Sequence, residues 1–350
     1  MSPSSPARAE VGSPLSILLD EMRRQHTDAS ASLVGARNDA RRIAERIRAT
    51  GRLLMLGMGA SHWANRMALA SYRCLGVDAR AAVLSESLRL PTPEAPRETT
   101  LLTSQSGGSG EIRVWLDQRT RLDDVFGMTL HAESTLGRAV PCLFGAGGRE
   151  RAFAATRSVM VTVALHAAVL EALGMDTAEL RAIWDGTPGL PPAAPEPAVE
   201  ALASCRVLVL ASRGELMPAL ECAGLTFMEL ARTPAVALEL GQLIHGPQEA
   251  LDADTALVLA RPTGADAAGV TRFAEAAISW GVPTLLFDLG ADHPPVKGAI
   301  TLPLRPATGL TAAVRLLPQV QSLAILSAAR RHADMGVPQR SSKVADGEAA

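Results

Sequence analysis

The chain has 350 residues, of which 47% are apolar and 3% aromatic, and its 34 basic side chains nearly balance its 36 acidic ones. A net charge of −2 leaves no basic surplus for binding a phosphate backbone, so we expect no nucleic-acid partner. Residues 1–14 are rich in Ser, Pro and Ala and lack the apolar core of a signal peptide. We see no apolar stretch of the roughly 18 residues that a membrane span needs, which predicts a cytoplasmic protein without a membrane partner.

The cysteines predict buried thiols. Cys74, Cys142, Cys205 and Cys222 stand singly among apolar residues and without CxxC spacing. This pattern favours neither a disulfide framework nor a zinc site.

The elements alternate in a regular order along the first half of the chain. A helical pattern over residues 15–48 ends before Gly51 and is followed by a buried strand at 52–57, a small-residue turn at 58–61 and a helix at 62–75. Further strands are predicted at 77–84, 100–104, 125–130 and 140–144, and a long apolar helix at 156–173. Strands alternating with helices are typical of parallel βαβ units.

The same order recurs in the second half, with strands at 206–210, 257–264, 282–289 and 300–304 and a long helix at 310–331. We therefore predict an α/β fold of two tandem, doubly wound, flavodoxin-like subdomains with parallel sheets, related by an internal repeat. The predicted divisions are a disordered N-terminus (1–14), a first domain (15–186), a Pro-rich linker (187–198), a second domain (199–335) and a tail (336–350).

Residues 104–110, Ser-Gln-Ser-Gly-Gly-Ser-Gly, lie between a predicted strand and a helix that begins near Glu111. Small residues let several backbone N–H groups converge, three hydroxyls add donors, and the helix N-terminus adds partial positive charge, which suits a phosphate monoester. On spacing alone, an ordinary turn with a helix cap is equally compatible. A dinucleotide site at Gly57-Met-Gly59 is disfavoured, because His62 replaces the third glycine and no acidic residue closes the next strand.

An ordered set of motifs identifies a resemblance to a known family. The motifs are Gly-Met-Gly-Ala-Ser at 57–61, Ser-Gln-Ser-Gly at 104–107, Glu150 before Ala-Ala-Thr-Arg at 154–157, Arg213-Gly214, Glu229, His-Gly-Pro at 245–247, and Pro338 with Lys343. In this order they resemble tandem sugar-isomerase (SIS) domain proteins over about residues 13–344. The chain is similar to the isomerase half of glucosamine-6-phosphate synthase (glutamine–fructose-6-phosphate aminotransferase) and to stand-alone amino-sugar-phosphate deaminases and isomerases.

The resemblance implies the site residues. Those implied to bind the phosphate and sugar are Ser104, Gln105, Ser106, Ser109, Gly59, Ser61, Ala155 and Glu150. Glu229 is implied to be the base that moves a proton between C1 and C2, a task that suits a carboxylate whose pKa is raised in an apolar helix. Without the resemblance, Glu229 reads more simply as a solvent-facing glutamate on a helix surface.

The two remaining catalytic residues implied by the family are His245 and Lys343. His245 is implied to open the sugar ring from the neighbouring subunit, which predicts a homodimer. Lys343 is implied to act at the sugar carbonyl; only it and Lys297 are lysines among the 34 basic residues, and guanidinium cannot replace an amine that must lose its proton. From the residues alone, an idle turn histidine and a solvated tail cation remain open.

Some positions depart from the family pattern. Ala60 and Ala155 lack hydroxyls, which removes sugar contacts of about 0.5–1.5 kcal/mol each, and Arg157 replaces a lysine. Because both repeats are accounted for and no glutaminase segment remains, we expect a hexosamine 6-phosphate isomerase or deaminase that needs no metal or redox cofactor. The alternatives are a non-catalytic sugar-phosphate sensor and a fructosamine-6-phosphate deglycase.

Overall fold

Strands and helices alternate throughout the computed structural model, which describes residues 12–89, 97–290 and 293–341. The strands of the first repeat are β1 (Arg52–Gly57), β2 (Asp78–Val83), β3 (Thr99–Thr103), β4 (Val125–Thr129) and β5 (Cys142–Phe144). Those of the second repeat are β6 (Val207–Ser212), β7 (Ala235–Glu239), β8 (Thr255–Arg261), β9 (Thr284–Asp288) and β10 (Ile300–Pro303).

The described helices complete the two repeats. In the first are α1 (Pro14–Thr50), α2 (Gly59–Cys74), α3 (Leu84–Arg89), α4 (Gly110–Asp117), α5 (Thr135–Ala139), α6 (Arg157–Leu173) and α7 (Ala178–Gly186). In the second are α8 (Glu196–Ser204), α9 (Met217–Leu230), α10 (Leu240–Ile244), α11 (Ala267–Ser279) and α12 (Gly309–Arg331).

Each repeat forms one parallel five-stranded sheet, with the orders β2-β1-β3-β4-β5 and β10-β9-β8-β6-β7. Read from the other edge, the second order is that of the first, so the two sheets share one topology. The strand order reverses between β1 and β3 and between β6 and β8, which is the switch point where doubly wound sheets bind ligands. The predicted α/β class with two flavodoxin-like units is confirmed.

Local sequence explains the main elements. The central strands β3, β4 and β8 are short runs in which every residue is buried, as parallel sheets covered by helices require, whereas the edge strands β2, β7 and β10 are only partly buried. Helix α1 begins where the Ser13 hydroxyl accepts a hydrogen bond from the Ser16 N–H (3.2 Å), followed by Pro14 in the first turn. It ends at Gly51, whose left-handed conformation suits a residue without a side chain.

One apolar core joins the two repeats, because α1 packs on α6 while α2 and α12 both pack on α9. Helix α12 is long and apolar enough to cross a membrane by length and composition, which our sequence analysis did not anticipate. However, 78% of its most apolar window is buried inside the fold, as in the core helix of a globular domain.

Other expectations were wrong or fall outside the described residues. Strand β7 was not predicted. Cys74 is exposed, so the prediction of buried thiols is wrong for that residue, although Cys142, Cys205 and Cys222 are buried. Of the N-terminus predicted to be disordered, only residues 12–14 are described, and α8 begins inside the predicted linker. Lys343 lies outside the described residues.

Candidate functional site

The carboxyl ends of β1 and β3 lie side by side at the switch point of the first sheet. Gly57, the last residue of β1, pairs in register with Thr103, the last residue of β3. The segment 58–61, which includes the first residues of α2, and the loop 104–109 therefore leave the same edge next to each other. This is the position at which a doubly wound sheet offers a crevice for a ligand.

Hydrogen bonds inside the 104–109 loop engage two of its backbone N–H groups and leave hydroxyl hydrogens available. The Gly107 N–H donates to the Ser104 hydroxyl oxygen (3.1 Å), and the Gly108 N–H donates to that of Ser106 (3.4 Å). Because each hydroxyl accepts from the backbone, its own O–H hydrogen remains for another acceptor. The Gln105 and Gly107 carbonyls accept from the N–H groups of residues 130 and 136 (3.1 and 2.8 Å), which directs these acceptors into the fold.

Gly107 fixes the shape of the loop. Its φ of +63° lies in the left-handed region, and an added Cβ would lie 2.1 Å from the Ser134 Oγ and 2.8 Å from the Thr129 Oγ1. Ser109 is the N-cap residue of helix α4, and its hydroxyl makes no capping bond within the described part of the chain. The first-turn N–H groups of α4 thus lack a side-chain cap, an arrangement that favours a bound anion.

Ser61 and Gly59 lie on the β1 side of the crevice. Gly59 begins α2 with a φ of +49°. Ser61, two residues later in the first turn of α2, is half-buried, and its N–H donates to the Met58 carbonyl (3.0 Å). Gly57 has no room for a side chain, because an added Cβ would lie 3.0 Å from the backbone of Ser61 and His62. The sequence-predicted residues on this loop and on 104–109 are therefore brought to one edge.

Helix α9 of the second repeat crosses α2, and the later residues of α9 extend beyond Gly59, the first residue of α2. The Arg66 guanidinium donates to the Glu221 carboxylate at 2.9 Å, and the Leu225 Cδ2 lies 3.7 Å from the position of a Cβ on Gly59. Residues 221, 225 and 229 are four apart and share one helix face. Glu229, which is half-buried, therefore lies one turn beyond the start of α2, toward the carboxyl end of β1.

The charges around Cys222 show which carboxylates converge. Burial raises the pKa of this thiol, and the negative charges of Glu229, Glu150 and Glu221 raise it further. Three carboxylates from two repeats are thus within electrostatic range of one buried sulfur. Burial also raises the pKa of Glu221, against the opposing effect of the Arg66 charge.

Glu150 uses its carboxylate to cap helix α6. Its Oε1 accepts from the N–H groups of Thr156 (2.9 Å) and Arg157 (2.8 Å) and from the Thr156 hydroxyl (2.9 Å), while its Oε2 accepts from the Ser158 hydroxyl. Ala155, in the same segment, accepts a bond at its carbonyl from the Gln321 amide (3.3 Å). These contacts give Glu150 a structural task in addition to the sugar contact that the sequence predicts.

His245 is exposed immediately after α10, in a turn in which Gly246 has a φ of +130°. Its ring stands at the surface of the single chain, away from the buried ends of the strands. Of the predicted catalytic residues, Glu229 therefore follows Leu225 by one turn on the helix face that contacts α2, and His245 is exposed at the surface. The position of Lys343 is not described.

Arg157 is a buried residue whose importance the sequence did not reveal. Its guanidinium is fully buried and donates to Glu21, to Asp28 (3.1 Å) and to the carbonyls of Ala146 (3.2 Å) and Gly148 (2.8 Å). Four acceptors arranged around one planar group suit the several donors of a guanidinium rather than the lysine of the family pattern. Arg157 thus joins α1, α6 and the loop that precedes Glu150.

A second group that sequence reasoning missed lies beneath the crevice. The Thr103 hydroxyl donates to the Asn65 Oδ1 (2.8 Å), the His166 Nε2 contacts the same oxygen (2.9 Å), and the Tyr72 hydroxyl contacts the His166 Nδ1 (3.2 Å). All four side chains are buried. No local motif links them, because they come from β3, α2 and α6.

The switch point of the second repeat has different chemistry. The Leu289 N–H donates to the Arg261 carbonyl (3.0 Å), just as the Leu130 N–H donates to that of Gln105 in the first repeat. Arg261 therefore occupies the position of Gln105, and Pro262 that of Ser106, which removes an N–H and a hydroxyl donor.

Asp288 closes this second switch point. The fully buried Arg261 guanidinium donates to both Asp288 oxygens, and also to the Thr271 hydroxyl (3.1 Å) and the Pro294 carbonyl (3.0 Å). The positive charge is thus already neutralised by a residue of the chain. At the first switch point, by contrast, the described loop carries the hydroxyls of Ser104 and Ser106 and no buried ion pair. No cluster of three or more His, Cys, Asp or Glu side chains suited to a metal occurs in the described ranges.

The two-sheet architecture with its shared topology is the tandem SIS fold. The solved structures with this fold include the C-terminal domain of glucosamine-fructose-6-phosphate aminotransferase from Francisella tularensis, at 16% identity over 92% of this chain and 98% of that chain (TM-score 0.77). They also include tagatose-6-phosphate ketose/aldose isomerase from Escherichia coli, at 16% identity over 93% and 95% (TM-score 0.76).

A third structure is glucosamine-6-phosphate deaminase from Thermotoga maritima, at 19% identity over 94% of this chain and 99% of that chain (TM-score 0.75). No protein-family model and no curated protein sequence matches the chain. The predicted resemblance to tandem SIS proteins is therefore confirmed at the level of the fold.

Proposed function

We propose that this chain is a sugar-phosphate isomerase that acts on a hexosamine 6-phosphate of the glucosamine 6-phosphate type and releases ammonia. The observation that supports the proposal is the donor-rich loop at 104–109 together with helix α9, whose contacts with α2 through Glu221 and Leu225 leave Glu229 one turn further toward the same edge of the sheet. A phosphate loop and a carboxylate facing one crevice suit recognition at one end of a sugar phosphate and proton transfer at the other.

The phosphate would accept hydrogen bonds from the hydroxyls of Ser104, Ser106 and Ser109 and from the N-terminus of α4. With Gln105 lining the loop and Gly59 and Ser61 on its other side, the sugar chain would extend toward Glu229. The carboxylate removes the proton from C2 of the open-chain amino sugar and returns it to C1. The imine then formed at C2 reacts with one water, and one ammonia leaves as the ketose phosphate is produced.

Ring opening is assigned to two residues that are not part of the crevice of the single chain. His245 of a second copy would move a proton between the ring oxygen and the anomeric hydroxyl, and Lys343 would act at the carbonyl. Exposed apolar side chains near His245 support a dimer: Met228 on α9, Val236 on β7 and Ile244 on α10 are 39–47% exposed, and β7 packs against both helices.

The test is proton exchange with solvent, followed by NMR in D₂O with glucosamine 6-phosphate. We expect deuterium at C1 of the product with the native chain, and a loss of exchange of about 100-fold to 10,000-fold in Glu229→Gln. Glu275→Gln, on the exposed face of α11, is the matched control and should retain full exchange. Undiminished exchange in Glu229→Gln would remove Glu229 as the base.

The product distinguishes the remaining functions. Ammonia release indicates the deaminase, whereas isomerisation without ammonia indicates an aldose–ketose isomerase of the same class. Release of a free amino acid from a fructosamine 6-phosphate would indicate the deglycase. Tight binding of hexose and hexosamine 6-phosphates with no turnover of any would contradict the enzyme and favour the sensor.

A further inference from the structure

Four buried polar side chains form a continuous hydrogen-bonded chain directly beneath the candidate phosphate loop. Thr103, Asn65 and His166 are at most 2% exposed, and Tyr72 is fully buried. Thr103 is the last residue of β3, so the chain of bonds ends at the residue that precedes Ser104. The large majority of polar groups so deeply buried have hydrogen-bond partners.

The direction of these bonds follows from the chemistry of each group. Burial lowers the pKa of His166 to about 3, so its ring is neutral at physiological pH. The Asn65 Oδ1 is an acceptor only, so it receives the Thr103 O–H and the His166 Nε2–H. The His166 Nδ1 is then the acceptor for the Tyr72 hydroxyl, whose pKa burial raises so that it keeps its proton.

Asn65 touches both strands of the switch point. Its Oδ1 holds the end of β3 through Thr103, and its Nδ2 lies 3.1 Å from the position that a Cβ on Gly57, at the end of β1, would occupy. Within the described residues, this buried Nδ2 has no hydrogen-bond partner. An apolar side chain would avoid that cost, so packing alone does not account for an amide here.

We propose that Asn65 is a positioning residue, which acts through Thr103 to hold the loops 104–109 and 58–61 in register for phosphate binding. This inference rests on the proposed function, because it assigns the network a purpose in binding the phosphate. The Asn65 side chain itself does not contact the ligand. It fixes where β3 ends, and hence where the donors of Ser104 and Ser106 point.

The experiment uses the full chain with single substitutions at Thr103. Thr103→Val removes the hydroxyl at nearly constant volume, and Thr103→Ser keeps it. The matched control is Thr284→Val, which removes an equally buried strand hydroxyl from β9 of the second sheet, where it donates only to the Val282 carbonyl (2.9 Å). Binding of inorganic phosphate and of glucosamine 6-phosphate is measured by calorimetry, with kcat, KM and the melting temperature for each variant.

We expect Thr103→Val to weaken phosphate binding and raise KM by about threefold to tenfold, the loss of one hydrogen bond, with kcat unchanged. Thr284→Val should lower the melting temperature by about as much as Thr103→Val does, but it should change neither the phosphate dissociation constant nor KM. Thr103→Ser should restore phosphate binding. Asn65→Leu should reproduce the Thr103→Val binding defect, because it removes the shared acceptor.

Two results would overturn the inference. One is phosphate binding by Thr103→Val equal to that of the native chain and of Thr284→Val. The other is a Thr103→Ser defect as large as that of Thr103→Val, which would show that the hydroxyl is not responsible. If the native chain binds neither phosphate nor any sugar phosphate, the proposed function fails as well; if it binds them and the Thr103 variants match it, only the role of Asn65 fails.

Discussion

Replacing Gly107 by alanine should distort the 104–109 loop more than any neighbouring single-methyl change. The residue has a φ of +63°, and the new Cβ would meet the Ser134 Oγ at 2.1 Å and its Cβ at 2.7 Å. A left-handed conformation costs an L-residue roughly 1–2 kcal/mol, and overpacking costs typically about 1–3 kcal/mol. The sum is about 2–5 kcal/mol, which the chain must take from folding stability or from the loop geometry.

The assay is urea unfolding of Gly107→Ala together with calorimetric binding of inorganic phosphate. If the loop moves to relieve the contact with Ser134, its donors separate, and each 1.4 kcal/mol of lost binding free energy is a tenfold rise in Kd. We therefore expect phosphate binding at least about tenfold weaker. The part of the cost that loop movement does not relieve should appear as a lower free energy of unfolding.

The adjacent glycine provides the control. An added Cβ on Gly108 would meet nothing closer than the Ser106 carbonyl oxygen at 3.9 Å, and its φ lies outside the left-handed region. Gly108→Ala should therefore change stability by no more than about 0.5 kcal/mol and leave phosphate binding near the native value. Equal behaviour of the two variants in both assays would refute the reasoning from loop geometry.

Two further predictions concern buried charge. Asp288→Asn leaves the fully buried Arg261 without its counter-charge and should lower the free energy of unfolding by about 3–5 kcal/mol. Asp254→Asn, in an exposed ion pair, should lower it by about 1 kcal/mol or less. Equal losses for the two variants in urea unfolding would contradict this prediction. The pKa of His166 is about 3 in the fold against 6.5 in its ordinary state, so between these values the unfolded chain binds a proton that the folded chain does not. The free energy of unfolding should thus fall as pH decreases through that window, by up to about 1.4 kcal/mol per pH unit from this group. Between pH 7 and pH 4 this fall should be shallower in His166→Gln than in the native chain. An unchanged dependence on pH would show that His166 does not contribute.

The strands that were predicted from sequence include both the buried central strands and the partly exposed edge strands β2 and β10. β1 and β8 are continuous apolar runs, so composition alone marks them. β7 also lies at a sheet edge and is only half-buried, with Val236 exposed. It was missed because its apolar run, Ala-Val-Ala-Leu at 235–238, is short and closely follows the apolar helix α9.

The candidate site was predictable only where its residues are local in sequence. The 104–109 loop could be identified because small residues, hydroxyls and a helix start lie together. Asn65 could not, since its partners Thr103 and His166 are 38 and 101 positions away. Arg157 is similar: an arginine is normally a surface residue, and only the folded position of Glu21 shows why this one is buried.

The position of Glu229 was predictable in part from local sequence and in part only from the folded structure. Its helix was predictable from the apolar run around it, and the side of that helix that faces α2 was not. The contacts of Glu221 and Leu225 supply the missing orientation, because they fix the rotation of α9 about its own axis.

The ion pair between Arg261 and Asp288 makes the two halves of a symmetric chain unequal. In the second half an internal carboxylate sits beside the cation, so that switch point needs no ligand to balance its charge. On the proposed function, the first half recognises the phosphate and the second half contributes the reacting base from α9. On this proposal the two repeats would have different roles, and the stoichiometry of phosphate binding should be one per chain.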